Sequence, residues 1–165
     1  MPIWTIVSDA GKFIAVLAAV AAWVLSRKAS QYADFDSLYQ GVLEKGIEKP
    51  SLRNPAAARE FANLPTEERV AYETYAYVVF NVCETIADGL GFYASRRRSV
   101  LDLVESVLCR FLPTIADRHW LRKTWHPVLV AEKQLHGSWL VSQKGGTRFK
   151  QEFLDLMDRI EKVSP

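Results

Sequence analysis

The chain is poor in cysteine. Cys83 and Cys109 are its two copies in 165 residues, too few for a disulfide framework or a multi-cysteine zinc module. Glycine (8) and proline (7) are sparse, which excludes collagen-like and linker-like classes. Neither sign of charge dominates, with 21 Lys and Arg against 19 Asp and Glu. No global field therefore steers the chain onto nucleic acid, and a nucleic-acid partner is not expected. No glycine-rich phosphate loop follows a strand pattern. Gly89-Leu90-Gly91 ends a helical pattern, and Gly145-Gly146 lies between two others. No stretch alternates at period two for long enough to demand a strand, and no internal repeat is present. No catalytic signature stands out either, so the sequence speaks more about location and architecture than about chemistry.

Apolar residues are plentiful instead, at 49% of the chain, a folded composition. The longest unbroken apolar run is Phe13 to Leu25. Its 13 residues cover about 20 Å of helix, short of the roughly 30 Å hydrocarbon core. Extended back to Ile3 the segment reaches about 35 Å. Trp4 and Trp23 then lie about 28 Å apart, at the spacing of two interfacial aromatic belts. Arg27 and Lys28 follow the run directly. The expectation is a single-pass membrane anchor over residues 1–28, with the C-terminal domain in the cytoplasm by the positive-inside rule. A cleaved signal peptide fits less well, because Met1 to Lys12 carry no net positive charge and Arg27-Lys28 occupies the cleavage region. A buried N-terminal helix of a soluble protein is the other alternative.

Asp9 and Lys12 lie inside the extended segment at i,i+3. They either meet a partner or snorkel toward headgroups. Gly11, Ala15, Ala18 and Ala22 share one helical stripe, and Gly11, Ala15 and Ala19 form a small-x3-small ladder. That stripe either admits a second transmembrane helix or faces lipid.

Beyond the anchor, residues 29–165 read as a helical bundle of about four main helices. Ser30 to Asp36 reads as a polar joint. A helix is expected over Ser37 to Lys45, with Gly46 as its C-cap. Asn54-Pro55 reads as an N-cap followed by proline at the first helical position. Pro65-Thr66-Glu67-Glu68 opens a long helix to about Leu90, whose Tyr72, Tyr75, Tyr77, Val78, Val79, Phe80, Val82 and Ile86 cover much of its circumference and make it the central core helix, touched on several sides. A further helix follows Ser99. Another is expected to end before Pro127, a next to run from Pro127 to Gln143, and a last amphipathic one to be capped by Thr147. The fold class expected is all-α, a single N-terminal transmembrane helix followed by a small helical bundle.

Several groups could carry chemistry or binding. Glu73, Tyr77, Asn81, Glu84 and Asp88 fall on one stripe of the central helix, which is a solvated face, a packing network or a polar pocket. Glu132 and His136 are spaced i,i+4 rather than the i,i+3 of bundle di-iron sites, and have no second copy. His126 lies on the same stretch, among Trp120, Trp125 and Trp139, which close the bundle end or line a pocket. A catalytic histidine would have to reach Glu84 or Asp88. Neither a metal site nor a cofactor is expected. Arg96-Arg97-Arg98 opens a basic stretch that is a solvated loop, or faces anionic lipid headgroups or an acidic partner.

Leu52-Arg53-Asn54-Pro55, the run Tyr72 to Tyr77, Asn81 to Asp88, and Trp125-His126-Pro127 with Glu132, His136 and Trp139 together resemble a group of functionally uncharacterised bacterial proteins. Those proteins typically carry one N-terminal membrane helix and a small helical domain, so the resemblance implies the same architecture here and no activity. The functional expectation is a non-enzymatic accessory or scaffold subunit of a larger membrane complex, joined to other subunits through its N-terminal helix. The alternative is a membrane-tethered sensor that binds a ligand or partner through the helical domain.

Overall fold

The computed structural model describes residues 3–92 and 118–162. Every regular element among them is helical. In chain order these are α1 (Ile3–Glu48), α2 (Pro55–Arg59), α3 (Thr66–Leu90), α4 (Arg118–Ser142) and α5 (Gln151–Arg159). Short 3₁₀ turns lie at Pro50–Arg53, Phe61–Asn63 and Ile160–Lys162. Among the described residues no helix is long and apolar enough to cross a membrane.

The chain divides into two compact units. The described part of the first is α1 as far as Ala33. The second holds the remaining described residues and contains the core outlined below.

The second unit is organised around α3, which packs on α4. Tyr72, Ala76, Val79, Phe80, Cys83, Ile86 and Ala87 of α3 are all buried, the three-and-four spacing that turns one helix face inward. The larger of these, Val79, Phe80 and Ile86, contribute about 1.5–3 kcal/mol each when fully buried. The end of α3 is set by Gly91 at φ 61°, a left-handed position that costs glycine little. The Phe92 amide donates to the Ala87 carbonyl and the Gly91 amide to that of Asp88, a Schellman ending that satisfies two of the terminal carbonyls. At the start of α2, the Asn54 side chain accepts the Ala56 amide at 2.9 Å, with Pro55 in the first turn, as that dipeptide predicts.

One end of the core is aromatic. Phe80 stacks on Trp139 with centroids 6.0 Å apart. Phe149 meets the Trp139 ring edge-on at 6.2 Å, and Phe153 meets Phe80 at 6.5 Å. At the other end Phe35 and Tyr39 of α1 present T-shaped contacts to Trp125 at 6.3 and 5.8 Å. Gly89 of α3 gives Phe35 its place, because a Cβ there would sit inside the Phe35 ring's van der Waals envelope.

Local expectations are corrected at four points. The polar stretch Ser30–Asp36 is not a joint, since α1 runs through it without a break. Gly46 is not a cap but a buried helical residue; a Cβ there would lie 2.9 Å from the Tyr75 hydroxyl and closer still to the Arg53 side chain. Pro127 neither ends nor begins a helix but lies within α4. A proline removes one amide bond and clashes with the preceding turn. Buried Trp125 and Leu129 on either side hold the helix together through it. The last helix begins at Gln151 rather than just after Thr147, because Gly145 at φ 92° and an irregular loop intervene before Phe149 enters the core.

Candidate functional site: a buried glutamate and histidine

The inward face of α4 reads Trp125, Leu129, Glu132, His136, Leu140, at spacings of four, three, four and four. All five residues are buried. Two ionisable residues thus occupy core positions, and both Glu132 and His136 are 0% exposed. Buried charge is costly without partners, so its partners define the site.

Three elements supply them. From α1, the Tyr39 hydroxyl donates to Glu132 Oε1 at 2.7 Å. From the 3₁₀ turn after α1, Arg53 Nη2 donates to the same oxygen at 2.8 Å. Arg53 Nη1 also donates to the Tyr75 hydroxyl of α3 at 3.1 Å, and that hydroxyl donates to the Val42 carbonyl at 3.2 Å. From α3, the Tyr72 hydroxyl lies 2.9 Å from His136 Nδ1. The rings of Tyr72 and Tyr75 flank the imidazole at 5.5 and 5.6 Å, and Phe61 stacks over Tyr72 at 5.9 Å.

Two atoms are left over. Glu132 Oε2 and His136 Nε2 are buried with no hydrogen-bond partner among the described residues. They face each other at 3.7 Å, beyond hydrogen-bond range. The tautomer is assigned from this arrangement. An Nε2–H directed at the carboxylate is attractive, whereas a bare Nε2 would set two lone pairs against each other. Tyr72 therefore donates to an unprotonated Nδ1.

The surroundings tune these groups strongly. Burial pushes the His136 imidazole down to about 4, with the Arg53 charge acting in the same sense and Glu132 against it. Burial raises the Tyr72, Tyr39 and Cys83 groups above their ordinary values, and the Glu132 charge adds to the rise at Tyr39 and Cys83. Burial alone would lower Arg53, yet its bonds to Glu132 and Tyr75 hold it above its usual value. At neutral pH the cluster is one Arg–Glu ion pair beside an uncharged imidazole. It ties α1, the Pro50–Arg53 turn, α3 and α4 to one carboxylate.

The other residues singled out in the sequence fall elsewhere. Glu73 is half-buried and Asn81 exposed on the outer face of α3. Tyr77 packs on Phe149 at 5.8 Å. Glu84 accepts the Lys150 backbone amide at 2.8 Å, and Asp88 pairs with the Lys150 ammonium. This stripe therefore receives the loop that leads into α5. His126 Nε2 bonds the Ile160 carbonyl at 2.9 Å, so neither His126 nor His136 hydrogen-bonds Glu84 or Asp88. Among the described residues no three His, Cys, Asp or Glu side chains converge as a metal site.

In α1, Ala15, Val16, Ala18, Ala19, Ala22, Trp23 and Arg27 are exposed, and the Arg27 guanidinium lies 5.5 Å from the Trp23 ring centre. Arg96, Arg97 and Arg98 lie outside the described residues, as do the side chains of Trp4, Asp9, Gly11, Lys12 and Lys28.

Sequence reasoning paired Glu132 with His136 but missed Tyr39 and Arg53 as partners. The available signal was the interruption of an apolar helix face by two ionisable residues, which demands partners from other elements.

No family model matches the chain, and no curated protein or solved structure shows significant similarity to it.

Proposed function

We propose that the protein is a membrane-anchored, non-enzymatic accessory subunit, held by the N-terminal part of α1, with its helical domain as the scaffold. The observation that carries this reading is the exposed apolar surface of α1. Val16 is 59% and Trp23 51% exposed. With Ala15, Ala18, Ala19 and Ala22 they fill an arc of about 160° at about 100° per residue. Contiguous apolar surface of this kind marks contact with a membrane or another protein. Small residues in the same arc suit close approach of a second helix. Arg27 over Trp23 supplies the amphipathic pair suited to a headgroup boundary, and anionic lipid is the natural counter-charge.

The interior of the helical domain supports a non-enzymatic reading. Its most chemically equipped cluster is built into the core, with Glu132, His136 and Tyr72 at most 1% exposed and Arg53 27% exposed at its rim, the position of a packing network rather than of an open cleft.

The test is extraction of the native, tagged chain. The protein is expected to stay with membranes through an alkaline wash, and to co-migrate with other membrane proteins in stoichiometric amount after mild-detergent sizing and mass spectrometry. Replacing Val16 and Trp23 with serine is expected to weaken both. A chain recovered wholly in the wash would sink the anchor. A detergent particle holding this chain alone would sink the subunit reading.

A further inference from the structure

The buried cluster contains one cation, one imidazole that can become a second, and one carboxylate. Arg53 holds Glu132 Oε1, and His136 faces Oε2 across 3.7 Å. The two differ in freedom. His136 is fully buried on a long helix, whereas the Arg53 side chain is 27% exposed on a 3₁₀ turn. We propose that the Glu132–His136 pair is a proton-operated latch, in which protonation of His136 transfers the Glu132 carboxylate from Arg53 to His136 and releases the segment that joins α1 to α2.

The chemistry follows from the groups present. The proton comes from solvent and adds to His136 Nδ1. The Tyr72 hydroxyl, which donates to Nδ1 in the neutral state, turns to accept from it, since a hydroxyl serves either role. The charged Nε2–H then faces Oε2, and closing by less than about 1 Å makes a charge-assisted bond. The buried site now holds two positive groups and one negative, and like charges repel strongly there. Arg53 is the cation with a path to water, so Arg53 leaves.

Each element packed around the pair presents its own groups to it. α1 presents Tyr39, already bound to Oε1. The Pro50–Arg53 turn presents Arg53 itself. α3 presents Tyr72 and Tyr75, with Cys83 close to the Glu132 charge. The one charge on α2, Arg59, is exposed, as are Glu152, Asp155, Asp158 and Arg159 on α5. No other described charge competes for the site.

Release has a defined reach. Arg53 also bonds Tyr75 and lies over Gly46. Its departure frees the turn whose amides Leu52 and Asn54 bond the Lys49 and Ser51 carbonyls. An imidazole at about 4 in the latched form and near its ordinary 6.5 in the released form shifts the balance about thirtyfold toward release between pH 8 and pH 5.

The experiment uses the full chain in detergent micelles. The three histidines are followed by NMR of the labelled imidazole carbons from pH 8 to pH 4.5, with His119→Gln and His126→Gln assigning His136 by elimination. Amide hydrogen exchange over residues 49–60, corrected for intrinsic rates, is read in the same samples. Exchange there is expected to rise at least tenfold as His136 becomes charged, with α3 still protected. In His136→Gln, which cannot take the proton, the segment is expected to show no such rise. The proposal is overturned if His136 stays neutral while the segment opens, if His136 charges while the segment stays closed, or if the segment and α3 open together. Should His136→Gln fail to fold, the wild-type titration alone still decides among these outcomes.

Discussion

The Tyr39 hydroxyl bonds the Glu132 carboxylate at 2.7 Å, joining positions 93 residues apart in the chain. The same tyrosine ring stands edge-on to Trp125. One residue thus anchors α1 to α4 by both polar and apolar contact. Tyr39→Phe keeps the ring and removes the hydroxyl. A hydrogen bond to a charged group contributes about 1.5–3 kcal/mol, so urea unfolding of the domain should show a loss in that range with an unchanged denaturant slope. No loss would mean that Arg53 alone suffices for Oε1.

Glu132→Ala should be far more damaging, by about 3–5 kcal/mol, because it strands Arg53 and Tyr39 beside a void. The double replacement Arg53→Met with Glu132→Leu should recover most of that loss, since a well-packed apolar pair can equal a buried ion pair. A double-mutant cycle on thermal unfolding measures the coupling directly.

Two glycines in α-helices predict opposite signs. Gly89→Ala drives a methyl into the Phe35 ring and should cost about 1–3 kcal/mol by overpacking. Phe35→Leu in the same chain should return part of it. Gly41 has no atom within 4 Å of its would-be Cβ, so Gly41→Ala in α1 should stabilise by about 0.5–1 kcal/mol. Differential scanning calorimetry on the three variants checks both directions.

Acid should weaken the fold through His136. His136 sits at about 4 when folded and near 6.5 when unfolded. Above pH 6.5 neither state binds the proton and nothing changes. Between 6.5 and 4 the unfolded state binds more protons, so stability falls with pH. The full effect is about 3 kcal/mol. Urea midpoints at pH 7, 6 and 5 should fall more steeply in the wild type than in His136→Gln.

The loop before α5 offers a contrast in kind. Phe149→Ala removes a buried ring from the aromatic end and should cost about 3–5 kcal/mol. Lys150→Ala breaks an ion pair between partly exposed groups and should change stability by less than about 1 kcal/mol. The same unfolding assay separates the two.

Much of the helical domain was legible in the chain. Tyr72, Tyr75, Val79, Phe80, Val82 and Ile86 marked the core helix, but Tyr77 and Val78, expected in the core with them, are 37% and 44% exposed because one side of the helix is left uncovered; Asn54-Pro55 and Gly91 located ends that their own local chemistry sets. The breaks at Gly46 and Pro127 were misread for one physical reason. Glycine and proline lower the stability of a helix locally, but buried neighbours can outweigh that. Close packing against Arg53 and Tyr75 explains Gly46, and buried Trp125 and Leu129 carry α4 past Pro127. The site was half legible. The i,i+4 spacing of Glu132 and His136 places them on one helix face, but that this face is the buried one is not written in the spacing. Its Tyr39 and Arg53 partners come from 93 and 79 residues away, a distance over which no periodicity speaks.

The aromatic end of the domain has a consequence for synthesis on the ribosome. Phe80 emerges about 70 residues before Phe149, and Trp139 before it too. At roughly 5–20 residues per second, the Phe80 face stays uncovered for about 3 to 14 seconds in every nascent chain. During that interval α3 is an open apolar surface in a crowded medium, and a chaperone that shields it would decide how much of each translation run reaches the folded state.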